Sequence, residues 1–176
     1  GVIWYDGSIV GASAHTGTTP MNHRRDALAA LSELVLSVER IALEYGPRAV
    51  GTIGECRIAE PSRNVIAGDV RFTMECRSAE IEVLDEFDRR TRKSAADIAG
   101  RRQVGIELEA IWRKDPTPFD PGIVDTIEAA AARLGYSRRR ITSGAVHDAF
   151  NLALVMPAGM IFVPCKDGIS HNELEE

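Results

Sequence analysis

Four histidines are the side chains best suited to proton transfer or metal binding here: His15, His23, His147 and His171. No pair has HxH or HExxH spacing, and Cys56, Cys76 and Cys165 lie too far apart for a zinc ribbon. His15 closes a weakly alternating segment, Ile9–His15, and precedes the hydroxyl-rich turn Thr16-Gly17-Thr18-Thr19-Pro20. A histidine at a strand terminus can donate to a developing oxyanion. It can equally be a turn histidine among capping threonines, and composition alone favours that plainer role.

Asn64 is expected to open a strand that Arg77 ends, and a guanidinium with an amide near it makes a carboxylate clamp. Most arginines at strand ends are simply solvated. In Ser143-Gly144-Ala145-Val146-His147-Asp148 a glycine turn leads into His-Asp, where the carboxylate could orient the imidazole of a substrate-binding loop. The same residues also suit a helix N-terminus, with Ser143 as cap and Asp148 in the first turn. His171 follows an apolar segment, the place where open α/β sheets put their ligands, although one ligand makes no metal site. No G-x-S-x-G elbow is present to support a Ser-His-Asp triad.

The elements that must carry these residues follow from periodicity. Ile9–His15 reads as a strand, and Asp26–Tyr45 as an amphipathic helix with Leu28, Leu31, Val35, Val38 and Ala42 on one stripe. Val50–Ile58 and Val65–Cys76 read as strands joined through Glu60-Pro61-Ser62-Arg63. A second helix is expected over Ile81–Ile98, ending at Gly100, and a fourth strand over Val104–Trp112. The order β-α-β-β-α-β predicts an α+β, ferredoxin-like domain: an antiparallel four-stranded sheet with two helices on one face. Its expected span is residues 8–113, with 1–7 leading in from elsewhere. Beyond the proline-rich stretch Lys114–Pro121 come a helix, a loop, a short helix and an apolar strand, Gly159–Val163. Residues 114–176 therefore read as a partial α/β segment.

Composition narrows the classes. Hydrophobic residues at 44% and charged residues at 27% describe a globular chain. The net charge of −5 disfavours a field-driven nucleic-acid binder, and Val65–Cys76 carries only Phe72 where an RNA-binding sheet needs several aromatics. Arg89, Arg90, Arg92, Lys93, Arg101 and Arg102 fall among acidic residues, as on a solvated helix face. The longest apolar run is broken by Pro157, and no membrane partner is expected. Three widely spaced cysteines suit a reducing, cytoplasmic setting.

Taken in order, these stretches resemble the amidase/hydantoinase/carbamoylase family of aminoacylase-like di-metal hydrolases. The family includes N-carbamoyl-L-amino acid hydrolases, β-ureidopropionase and allantoate amidohydrolase. The resemblance rests on Ala14-His15-Thr16-Gly17-Thr18-Thr19-Pro20-Met21, Asn64–Val70, Glu75-Cys76-Arg77, Ser143–Ala149 and Gly168-Ile169-Ser170-His171.

It implies that residues 8–113 are a lid or dimerisation domain and that 114–176 are the C-terminal part of a metal-binding catalytic domain. His15 would steady the tetrahedral oxyanion, usually across a homodimer. Asn64 and Arg77 would bind a substrate carboxylate, with Gly144, Val146 and His147 in a further substrate loop, and His171 would be a metal ligand. The implied cofactor is zinc or manganese, two ions per complete site. Val146 stands where the family usually has glycine, and Glu75-Cys76 replaces Asp-Ile or Asp-Val.

The family's His-x-Asp motif, Glu-Glu pair and further histidine precede these blocks, and no such set occurs here; Glu175-Glu176 lies after His171. The expectation is a fragment of an amidohydrolase acting on N-carbamoyl or related linear amides of small amino acids, inactive alone and lacking its N-terminal catalytic half. The alternative is a non-catalytic dimerising module or a degenerate remnant.

Overall fold

The computed structural model describes residues 1–168 and Glu173. It divides into two compact units, Gly1–Pro116 and Thr117–Glu176.

The first unit is the expected α+β fold. Strand β1 (Val2–Val10) is followed by helix α1 (Ala27–Tyr45), strands β2 (Ala49–Ile58) and β3 (Asp69–Ser78), helix α2 (Ile81–Arg102) and strand β4 (Gly105–Lys114). The sheet order is β2-β3-β1-β4, and every neighbouring pair is antiparallel. The core forms where α1 and α2 cover one face of this sheet: Ile3, Tyr5 and Ile9 of β1 meet Leu34, Ile41, Leu84 and Phe87.

Several boundaries differ from the periodicity. The first strand occupies Val2–Val10 rather than Ile9–His15, so residues 1–7 are part of the sheet and not a lead-in. The Asp6-Gly7 pair hides this strand, because it looks like a turn. Gly7 is buried opposite Phe72 on β3, and a Cβ there would stand 2.2 Å from the Phe72 ring, so glycine is what lets the ring lie across the strand. Strand β3 begins at Asp69, not Val65, and helix α2 continues through Gly100 to a left-handed cap at Gln103.

The buried stripe of α1 is Ala27, Ala30, Leu31, Leu34, Val38 and Ile41, with Leu28 and Val35 exposed. Apolar residues on both sides of this helix made the stripe ambiguous, and the small Ala27 and Ala30 took the face nearest the sheet. Asp26 caps the helix by accepting from Ala29 N–H at 3.0 Å.

Helices α1 and α2 are also tied by charge. Arg101 and Arg102 near the end of α2 both bond Glu33, and Arg90 bonds Glu44. The remaining basic residues of α2 have acidic partners on the same helix: Arg89–Glu86, Arg92–Asp88 and Lys93–Asp97. The cluster is a neutralised surface, as its acidic neighbours predicted.

In the second unit, helix α3 (Pro121–Arg133) is capped by Asp120, whose carboxylate accepts from Ile123 N–H at 2.9 Å, and a short helix α4 (Asp148–Ala153) follows. Gly159–Val163 is not a strand; Ile161 and Val163 are exposed, and among the described residues the unit holds no strand for it to pair with. No described residue of this unit is buried.

The Glu33 carboxyl is held below its ordinary value, chiefly by the hydrogen bond from Arg101 and then by Arg102. A depressed folded-state value adds stability above the unfolded-state value, and that stability is lost as pH falls through the folded one. Glu33→Gln should therefore cost about 0.5–1 kcal/mol at neutral pH, the range of half-exposed pairs. Urea midpoints of the two proteins, compared from neutral to acid pH, should converge on the acid side.

Candidate functional site

The residues that could touch a ligand sit at opposite ends of the first unit's sheet. At one end the chain leaving β1 and the chain entering β3 run antiparallel beyond the sheet. Gly11 N–H donates to the Gly68 carbonyl at 2.7 Å, Ile66 N–H to Ala14 at 2.8 Å, and Thr16 N–H to Asn64 at 3.0 Å. His15 and Val65 form a bridge in this ladder, so His15 and Asn64 become neighbours. Ala27 N–H donates to Ala67, and Ala12 N–H to Arg25, which fastens both loops to the start of α1.

Side-chain bonds then orient the two groups. The Nδ1 of exposed His15 accepts from Gly17 N–H at 3.1 Å. In the neutral imidazole this assigns the proton to Nε2, which becomes the donor. Asn64 Oδ1 accepts from the Ser62 hydroxyl at 2.8 Å, leaving its amide nitrogen as the donor side. Arg24 braces the threonine turn by donating to the carbonyls of Thr16 at 2.6 Å and Thr19 at 3.1 Å. A cavity of about 190 Å³ lies beside these loops, lined by Thr16, Arg24, Ser62 and Val65 among others.

Arg77 is at the other end. It faces Val2 in the β1–β3 register, whereas the loops bearing His15 and Asn64 leave the sheet beyond Val10 and Asp69. Eight residues of strand separate Asp69 from Arg77, about 26 Å at the usual rise. Within one copy, Asn64 and Arg77 do not form the clamp that their sequence order suggested. Arg77 instead pairs with Glu75, Nε to Oε1 and Nη2 to Oε2, each at 2.9 Å. The Trp4 indole N–H also donates to Glu75 Oε2 at 2.9 Å, and Trp4 packs against Trp112 in a tilted pair, ring centroids 4.6 Å apart and planes 50° apart.

The second unit carries the Ser143–Asp148 loop. The Ser143 hydroxyl closes a local turn with Ala145, so it does not cap α4; His147 occupies the cap position and Asp148 the first turn. The His147 ring meets Phe162 edge-on at 6.0 Å, while Gly144 and Val146 are exposed. His171 lies outside the described residues. Among those described, no group of three or more His, Cys, Asp or Glu could hold a metal ion. The described residues do not by themselves fit a metal centre.

Sequence reasoning gave no role to Arg24, Trp4 or Trp112 and did not anticipate the pairing of Glu75 with Arg77. It also passed over Gly11 and Gly68. A Cβ on Gly11 would stand 1.9 Å from the Arg25 carbonyl oxygen, and one on Gly68 would stand 2.6 Å from Ser13 N. Both are close-approach glycines, and only backbone proximity reveals them. Gly68→Ala, whose added Cβ would press on Ser13 and Ala12, should spread the two loops and separate His15 from Asn64. The expected result is loss of the Thr16 and Ile66 amide protection in hydrogen exchange while amides of β1 and β3 stay protected.

Residues 10–176 match the model of peptidase family M20/M25/M40. The chain is 42% identical over 176 residues to an N-carbamoyl-L-amino-acid amidohydrolase of Rhizobium meliloti, covering 100% of this chain and 42% of that protein. It is 33% identical over 171 residues to the allantoate amidohydrolase of Escherichia coli strain K12, covering 97% and 42% respectively. A hydantoinase/carbamoylase family amidase from Burkholderia vietnamiensis superposes with a TM-score of 0.93 at 45% identity, over 99% of this chain and 42% of that one. The chain thus spans about two-fifths of the length of the relatives it matches. It resembles hydantoinase/carbamoylase family amidases over about two-fifths of their length, and it belongs to the M20/M25/M40 peptidase family.

Proposed function

We propose that this chain forms the lid and part of the catalytic domain of an amidohydrolase that cleaves N-carbamoyl or related linear amides of small amino acids. The observation that carries the reading is His15, exposed beside Asn64 with its Nδ1 committed to Gly17, so that Nε2–H is the outward donor. When water adds to the carbonyl carbon, negative charge grows on its oxygen, and a fixed N–H aimed at that oxygen stabilises the transition state more than the ground state. Asn64 and Arg77 hold the substrate carboxylate, and Gly144, Val146 and His147 contribute a further substrate loop.

Arg77 and Asn64 stand about 26 Å or more apart along the sheet, which supports a homodimer in which each site draws its histidine and amide from one copy and its arginine from the other. The edge strand β2 and the exposed Leu36 and Leu43 of α1 are suited to such pairing. The reading includes zinc or manganese, with His171 as one ligand and the others contributed from outside this chain. The second unit, without a buried residue among those described, is consistent with a fragment whose core is completed by the remaining catalytic half. The three cysteines form no disulfide, consistent with a cytoplasmic protein; the net charge of −5 and the paired basic residues of α2 argue against a nucleic-acid partner.

A shared site predicts complementation. In the complete metal-loaded enzyme, His15→Ala should lower kcat by about 10²–10³. Arg77→Ala should act mainly on KM. Assayed at substrate well below the variant KM, mixing the two impaired variants after subunit exchange should restore about a quarter of the wild-type rate, since half the dimers then hold one intact site. No recovery would show that each site is built within one copy.

The absence of a metal-holding cluster among the described residues favours a second reading, a dimerising module without chemistry. The amidohydrolase reading expects this chain alone to show no turnover and to gain chelator-sensitive turnover when joined to the missing catalytic half. If the joined protein stays inactive with metal supplied, the module reading stands.

A further inference from the structure

We infer that Glu75 is a positioning residue for Arg77, fixing the orientation in which the guanidinium meets a carboxylate ligand. This deepens the proposed role of Arg77 and rests on that reading. Glu75 and Arg77 lie two residues apart on β3 and so share the sheet face away from the helices. The Glu75 carboxylate takes the Nε–Nη2 edge in a parallel pair of bonds, both 2.9 Å, and this pins the plane of the guanidinium. Glu75 is pinned in turn from the neighbouring strand. Trp4, directly opposite it in register, donates to Oε2, and Trp112, opposite Trp4 on β4, packs against that indole as a tilted pair with centroids 4.6 Å apart.

A long arginine side chain otherwise loses rotamer freedom when it binds, and a partner that has already ordered it reduces that loss. The contrary possibility is that Glu75 competes with the ligand for Arg77. Its hold from a second strand argues for a permanent partner rather than a displaceable one. The two roles have opposite signs on removal of the carboxylate.

The test uses the complete metal-loaded enzyme, with an N-carbamoyl amino acid and its uncharged carboxamide as paired substrates. For the acid, Glu75→Gln should raise KM about tenfold with kcat within about threefold, a loss of preorganisation expected to spare the carboxamide. Glu75→Asp should recover most of the affinity, and Trp4→Phe, which keeps the carboxylate but removes its indole donor, should give an intermediate KM. A lower KM in Glu75→Gln would identify a competitor and overturn the inference. Unchanged KM in Glu75→Gln, with Arg77→Ala raising it, would also overturn it while leaving Arg77 as the carboxylate grip. If Arg77→Ala itself has no effect, that reading fails and the positioning role falls with it.

Discussion

Strand β1 is the constraint on which the rest depends. Its nine residues pair on one side with β3, Val2 to Arg77 through Val10 to Asp69, and on the other with β4. Being central, β1 buries Ile3, Tyr5 and Ile9 under the helices while Trp4 faces outward. The same register decides both functional ends. Where β1 stops, its continuation runs against residues 64–68 and brings His15 to Asn64. Where it starts, Trp4 reaches Glu75 and through it orders Arg77. A one-residue slip would turn Tyr5 outward and Trp4 inward, losing the core and the Arg77 support together.

Polar groups under the helices reinforce this register. The Tyr5 hydroxyl donates to Asp88 at 2.7 Å, Arg92 donates to the same oxygen at 2.9 Å, and the Arg92 guanidinium lies over the Tyr5 ring. Burial raises the Tyr5 phenol well above its ordinary value, so it remains a neutral donor. Burial likewise pushes the Cys76 thiol up to about 11, which makes it an inert core residue rather than a nucleophile.

Much of this was legible in the residues. The alternation of Val70, Phe72, Met74 and Cys76, and the helical spacing between Asp26 and Tyr45, predicted the β-α-β-β-α-β order. The His15 and Asn64 blocks stood out through their resemblance to the family's motifs, not through composition, which favoured a plainer role for His15. What failed were features whose cause lies across the chain. Gly7 looked like a turn because its reason is the Phe72 ring, sixty-odd residues away. Gly11 and Gly68 carried no local signal, since each is required by another segment's backbone. The Gly159–Val163 segment has strand composition, but a strand is a paired object and composition supplies no partner.

The sequence by itself determined the order of elements, the family and the residue types available for chemistry, because periodicity and short motifs are local properties. Only the tertiary structure decided their distribution. It set His15 beside Asn64 and fixed the imidazole tautomer through Gly17. It separated Asn64 from Arg77, which only twelve intervening positions in sequence had made look adjacent. An extended strand converts such a short sequence separation into most of the length of a sheet, and that geometry keeps the two side chains apart within one copy.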